Sequence, residues 1–218
     1  QLHLYLMDFG GGSLNLFRNL PHVGGVVESS DEERMEKLMT MLLNTLNERK
    51  KLINEQGLVS IAAYREATGV QMPWIVLVLD NFAPVMELYP AAEPFFQTIV
   101  REGASCGIYL LASVGASNAL PYRIAQHVKM ALCLRMTDRG DYAQIVGRTN
   151  GLEPEDHAGR GLLQGVPPLE FQTALPASAV KEIERVEQIR QLADMMRRAW
   201  TGACPLAIPV LPERVCWR

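Results

Sequence analysis

Trp74-Ile75-Val76-Leu77-Val78-Leu79, closed by Asp80-Asn81, is the stretch that decides the fold. Six apolar residues without alternation do not suit a strand with one wet face; they suit a parallel strand covered on both faces. Such a strand delivers its terminal carboxylate to the carboxyl edge of the sheet, where nucleotide and Mg²⁺ bind in P-loop proteins. A phosphate loop should accompany it. That loop needs Gly before Lys and Ser or Thr after it, so that backbone N–H groups cradle phosphate, Lys reaches it and the hydroxyl holds Mg²⁺. None of the lysines (Lys37, Lys50, Lys51, Lys129, Lys181) follows Gly or precedes Ser or Thr, so these 218 residues contain no such loop.

Upstream, Leu2 to Phe9 reads as a second buried strand, ended by the turn Gly10-Gly11-Gly12. Ser30 and Glu33 have the spacing of a capping box for a helix with Met35, Leu38, Met39, Leu42, Leu43 and Leu46 on its apolar face and Gly57 as its stop. Met41 lies off that stripe and is a candidate for an exposed contact. Helical patterns at 61–67, 91–101, 122–127, 138–146 and 180–199 are interleaved with apolar runs at 107–113 and 129–134 and a terminal strand pair at 161–164 and 169–174. This alternation predicts an α/β fold with a mainly parallel sheet. Pro205, Pro209 and Pro212 cannot continue a helix, so the expected division is one domain over 1–200 and a proline-rich interdomain linker over 201–218.

Composition sets the remaining bounds. With 48% hydrophobic and 21% charged residues the chain can bury a core and is not disordered, and its apolar runs are too short to span a membrane. The opening residues read as a strand, not a secretory leader, and a start on Gln1 suggests a piece of a longer protein. A formal net charge of −3 argues against a general nucleic-acid footprint. Cys106, Cys133, Cys204 and Cys216 lack CxxC spacing and read as reduced, structural thiols. His22, His127 and His157 have no paired ligand at helical spacing, which argues against a histidine metal site. The Gly10–Gly12 turn fails GxGxxG because position 15 is Asn, and Ser113 lacks the glycine elbow of a hydrolase nucleophile.

Several of these stretches together resemble one family. Leu4-Tyr5-Leu6-Met7-Asp8-Phe9-Gly10-Gly11-Gly12, then Leu20-Pro21-His22-Val23-Gly24-Gly25, Asp80-Asn81, the run Cys106 to Ser113 and Gly159-Arg160-Gly161-Leu162-Leu163 are similar to the FtsK/SpoIIIE-type ATPase domains of EssC/EccC-like type VII secretion motors. The resemblance implies a RecA-like P-loop NTPase fold that binds ATP and Mg²⁺ when complete, with the first strand, phosphate loop and following helix lying upstream of this chain. It implies membrane-associated protein transport: tandem ATPase domains on the cytoplasmic side of a bacterial cell membrane, in a membrane-anchored protein that moves small helical-hairpin substrates.

Carried onto this sequence, the family's Walker B carboxylate is Asp80, a catalytic and metal-binding position. Asn81 stands where the water-polarising Glu is expected, and Ser113 closes the sensor strand beside the nucleotide. Arg139 and Arg160, after predicted core strands, are arginine-finger candidates. An amide can orient water but cannot act as a base near neutral pH. The expectation is therefore a degenerate module, inactive alone, that serves regulation or partner binding. The alternative is a domain of an FtsK/SpoIIIE-type DNA translocase, but Val114 stands where such motors carry a sensor Gln, and duplex DNA is not an expected partner.

Overall fold

The computed structural model describes residues 1–210. Four parallel strands, β1 (Leu2–Asp8), β2 (Val23–Glu28), β3 (Trp74–Asp80) and β4 (Ile108–Ala112), form one sheet in the order β2-β1-β3-β4. Three short strands, β5 (Leu132–Leu134), β6 (Arg160–Leu163) and β7 (Leu169–Gln172), form a second, antiparallel sheet. The sequence-based expectation of a mainly parallel sheet thus holds for the first four strands. It does not extend to β5, which pairs with β6 in the opposite direction across a connection that carries α6 (Arg139–Val146).

The main core lies on one face of the parallel sheet. Tyr5, Met7, Val27, Ile75, Leu77, Leu79 and Ile108 point to it, as the period of two along each strand requires. Four helices cover that face: α1 (Glu32–Glu55), α2 (Ile61–Thr68), α3 (Phe82–Leu88) and α4 (Glu93–Glu102); the short α5 (Tyr122–Ala125) adds Ile124 to the same core. Met35, Leu38, Leu42 and Leu46 of α1 are fully buried at the i, i+3/i+4 spacing of an amphipathic helix. Phe82, Phe95 and Phe96 meet edge to face at centroid distances of 5.0–5.1 Å, the preferred aromatic geometry. Met41, expected as an exposed contact, is instead half-buried and packs on this core.

The opposite face is covered unevenly. Leu6 and Val26 are buried, Val76 and Val78 half-buried, and Tyr109 and Leu111 of the edge strand β4 exposed. The long helix α7 (Glu182–Ala199) packs on the 3₁₀ turn Ser13–Phe17 and buries Ile189 and Ala193.

Local signals also differ from expectation. The cap of α1 is Asp31, not Ser30: its side chain accepts from Arg34 N–H at 3.0 Å, and Asp31 and Arg34 also form an ion pair at 2.7 Å. Arg49 is buried at 6% exposure and donates to the carbonyls of Cys106, Gly107 and Pro73, tying α1 to the starts of β3 and β4. Burial lowers its pKa, and three carbonyl acceptors compensate the buried cation. Cys106 and Cys133 are buried and Cys204 is exposed, all as free thiols; Cys216 lies outside the described residues.

The predicted linker begins as part of the domain. Tyr5 Oη donates to Leu206 O at 2.8 Å, and burial pushes the phenol up to about 12, which keeps it a donor. Ile208 is 5% exposed and belongs to the main core. Gly24 and Gly25 of β2 make room: a Cβ at Gly24 would meet the Tyr5 ring at 2.4 Å, and one at Gly25 would meet Ile208 Cδ1 at 2.7 Å. The rest of the predicted linker, 211–218, lies outside the described residues.

Candidate functional site

In-register pairing of β1 with β3 places Asp8 beside Asp80, so two carboxylates end adjacent strands at the carboxyl edge of the sheet. Their environments separate them. Asp8 is buried at 4% exposure, and its two oxygens accept Gly12 N–H at 2.8 Å and Leu14 N–H at 2.7 Å. Each of its oxygens holds one N–H of the turn. Asp80 is half-buried, and among the described residues the hydrogen-bonding groups on its carboxylate are hydroxyls: Ser113 Oγ donates to Oδ1 at 2.7 Å, and Ser13 Oγ stands 3.5 Å from Oδ2.

Ser113 is fixed from both sides. Its own N–H donates to Leu79 O at 2.9 Å, its carbonyl accepts Phe82 N–H at 2.9 Å, and its hydroxyl accepts Asn81 N–H at 2.8 Å. With the Asn81 amide on its oxygen, the hydroxyl turns its proton toward Asp80. Asn81 takes a left-handed conformation, φ 65° and ψ 89°, which an L-residue adopts at some cost and Asn tolerates better than most. Its side-chain amide points back toward Phe9 O at 3.5 Å.

The structure places Asp80, Asn81 and Ser113 side by side at this edge, with Asp8, Gly10 and Ser13 next to them. Asp8 ends β1, Gly10 opens the glycine turn and Ser13 begins the 3₁₀ segment after it, a turn whose pattern in the sequence reads as structural only. The two arginine candidates lie elsewhere. Arg139, at the start of α6, is exposed, pairs with Glu153 at 2.9 Å, and lines an open cavity of about 650 Å³ with Gly115, Ala116 and Arg135. Arg160, on β6, lies 3.2 Å from both Glu155 and Glu170.

The donor set is hard oxygen: one carboxylate and two hydroxyls. That suits Mg²⁺, which binds through one or two carboxylates and keeps several waters or phosphate oxygens. Among the described residues no group of three or more His, Cys, Asp or Glu is placed to hold a metal. The residues present fit a Mg²⁺ shared with phosphate, and they include no phosphate cradle.

Comparison with known proteins bears on this edge. The profile of the FtsK/SpoIIIE family matches residues 1–153. The chain is 28% identical over 221 residues to the type VII secretion system protein EssC of Staphylococcus aureus (strain MRSA252), covering 99% of this chain and 15% of that protein. It thus spans about one-seventh of the length of such relatives. Among solved structures, EssC (ATPases 2 and 3) from Geobacillus thermodenitrificans superposes with a TM-score of 0.89 at 27% identity, over 98% of this chain and 41% of that one. Thermomonospora curvata EccC (ATPases 2 and 3), in complex with a signal sequence peptide, does so with a TM-score of 0.85 at 28% identity, over 97% of this chain and 39% of that one.

Proposed function

The chain belongs to the FtsK/SpoIIIE family, and from that premise we propose that it is one ATPase-fold module of a type VII secretion motor of the EssC/EccC kind, serving regulation or partner binding more than hydrolysis. Likeness over nearly the whole chain to two tandem ATPase structures of that kind supports the reading. The observation that carries it is Asp80, presented at the carboxyl edge of the parallel sheet with Ser113 on one oxygen and Asn81, not a base, next in sequence.

On this reading Asp80 is the side chain that holds Mg²⁺. Mg²⁺ with ATP would supply charge neutralisation at the phosphoryl group. Ser113 fixes the Asp80 carboxylate through its donated proton, and the backbone N–H of Asn81 fixes Ser113. The Asn81 amide can orient a water but cannot take its proton. Arg139, exposed and lining a cavity with the loop that follows Ser113, is the better placed of the two finger candidates, because Arg160 is engaged by two glutamates.

The proposed partners are neighbouring ATPase modules of the same protein and small helical-hairpin secretion substrates; the signal sequence peptide in the T. curvata complex supports the second. The proposed location is the cytoplasmic side of a cell membrane; no described helix is long and apolar enough to cross one. Calorimetry with Mg·ATP and a phosphate-release assay test the reading. The 218-residue chain is expected to show neither tight binding nor steady turnover. In the parent protein Asn81→Glu should raise hydrolysis while Asp80→Ala removes Mg²⁺-dependent nucleotide binding. Micromolar binding by the isolated chain, or indifference of the parent protein to both substitutions, would overturn it.

A further inference from the structure

The turn between β1 and the 3₁₀ segment lies directly on Asp80. A Cβ built on Gly10 would sit 2.0 Å from Asp80 Oδ2 and 2.6 Å from its Cγ, inside any real contact distance. Gly10 is not among the residues with positive φ, so its backbone would accept alanine and the obstacle is the carboxylate itself. Gly11 (φ 122°) and Gly12 (φ 91°) do need glycine, and neither has an atom within 4 Å of its would-be Cβ. A turn with such freedom has many conformations, and Asp8 selects one by accepting two of its backbone N–H groups. In that conformation Phe9 N–H donates to Asp80 O at 3.1 Å and Ser13 Oγ faces Asp80 Oδ2.

We propose that Asp8 and Gly10 are positioning residues of the Asp80 site: Asp8 fixes the turn, and Gly10 leaves the space in which the Asp80 carboxylate stands between the Ser113 and Ser13 hydroxyls, presented to a divalent cation. The proposal rests on the metal reading of Asp80 given above. It adds two residues that touch neither ion nor nucleotide and act only through where they hold Asp80. A β-carbon at position 10 forces the carboxylate aside, because a side-chain terminus yields more readily than the backbone of a core strand. Asn at position 8 keeps one acceptor oxygen and sets a donor NH₂ against the other N–H, so one of the two contacts that hold the turn in place is lost.

The test uses the 218-residue chain, isotope-labelled, in wild-type form and as Gly10→Ala, Asp8→Asn and Asp80→Ala. Two readouts are taken. The ¹³Cγ resonance of Asp80 reports the position of the carboxylate without any metal, and Mn²⁺ alone, by paramagnetic broadening of the amides of Asp80, Asn81 and Ser113, reports ion binding. Expected results are a shifted Asp80 ¹³Cγ in Gly10→Ala and Asp8→Asn, with strand amides away from the edge unmoved, and Mn²⁺ affinity lowered ~10-fold, the usual scale for outer-shell changes. An unmoved Asp80 ¹³Cγ in the Gly10→Ala protein overturns the positioning proposal, whatever Mn²⁺ does. Should Asp8→Asn fail to fold, Gly10→Ala still decides. A shifted ¹³Cγ in a chain whose wild-type form shows no broadening at Asp80 upholds the positioning and overturns the claim that Asp80 presents itself to a divalent cation without nucleotide.

Discussion

The two sheets of this molecule both carry charged residues and differ in what lies beneath them. The parallel sheet ends in Asp8 and Asp80, and one to three residues further down lie Leu77, Leu79 and Met7, nearly or wholly excluded from water under four helices. The antiparallel sheet carries Arg160 on a layer whose own buried cluster is Cys133, Tyr142, Val146 and Leu162. The first edge can hold a carboxylate in a defined place because the backbone beneath it cannot give way. The second stabilises its charges by pairing them with Glu155 and Glu170 at the surface. Position is inherited from packing in one and from counter-charge in the other, and only the first provides the rigid elements that a catalytic or ion site needs.

The sharpest way to break this contrast is to empty each core. Leu77→Ala should cost ~3–5 kcal/mol and shift the whole unfolding transition, because its site is enclosed on all sides and cannot collapse. Leu162 is equally buried, but in a cluster of four buried residues that can relax. Leu162→Ala should cost less, ~2–3 kcal/mol, and by hydrogen exchange it should raise opening in β5, β6 and β7 while β1 and β3 stay protected. Equal midpoint shifts and equally spread exchange would show that the two sheets unfold as one unit and that the contrast is only apparent.

The same difference decided what could be read in the sequence. The strand β3 was legible because one face is buried and the other, with Val76 and Val78, is half-covered, which leaves an uninterrupted apolar run, and Asp80 was legible because it ends that run. β2 was not, since Val23-Gly24-Gly25-Val26-Val27 contains the glycines that usually punctuate loops; here they admit Tyr5 and Ile208, which lie far away in sequence. Pro84 hid α3, although proline is tolerated in a first helical turn. Ser113 followed from the family pattern. Asp8, Gly10 and Ser13 did not stand out, because their roles depend on the parallel register of β1 with β3, a non-local fact with no local periodicity. β5 was found as a strand, but its partner was not, because a run of three residues says nothing about direction.

A middle-sized effect is expected where the chain closes on its own core. Ile208 occupies the slot left by Gly25, so Ile208→Ala should cost about 2 kcal/mol, at the low end for its type because the segment has few other anchors. Limited proteolysis separates a structural strap from a free linker. Cleavage between 201 and 210 should be slow in the wild type and much faster in Ile208→Ala. Rapid cleavage of the wild type without loss of stability would make this segment a linker only, and would move it from the packed side of the comparison to the exposed one.

The smallest effects belong to the arginines, and their smallness is what makes them useful. Arg139 has a side chain 83% exposed and one partner, Glu153, so Arg139→Ala should leave stability unchanged. Arg160 is 28% exposed with two glutamates, and Arg160→Ala should cost about 1 kcal/mol or less. Both arginines pair with glutamates away from the Asp80 edge, so a large loss of a neighbour's activity is not explained by stability changes this small. The informative assay mixes each variant with a catalytically intact neighbouring module and reads the neighbour's phosphate release. A finger stabilises charge that develops in the transition state of another site; Arg139→Ala should therefore lower the neighbour's turnover number and leave its nucleotide affinity nearly constant. Arg160→Ala should change neither, because its guanidinium is already paired with Glu155 and Glu170. If Arg160→Ala alone suppresses the neighbour, the ion pairs seen here must exchange for a contact in the assembly. Counter-charge at the second sheet would then be a store of chemistry released on docking, not the surface stabilisation inferred from this chain.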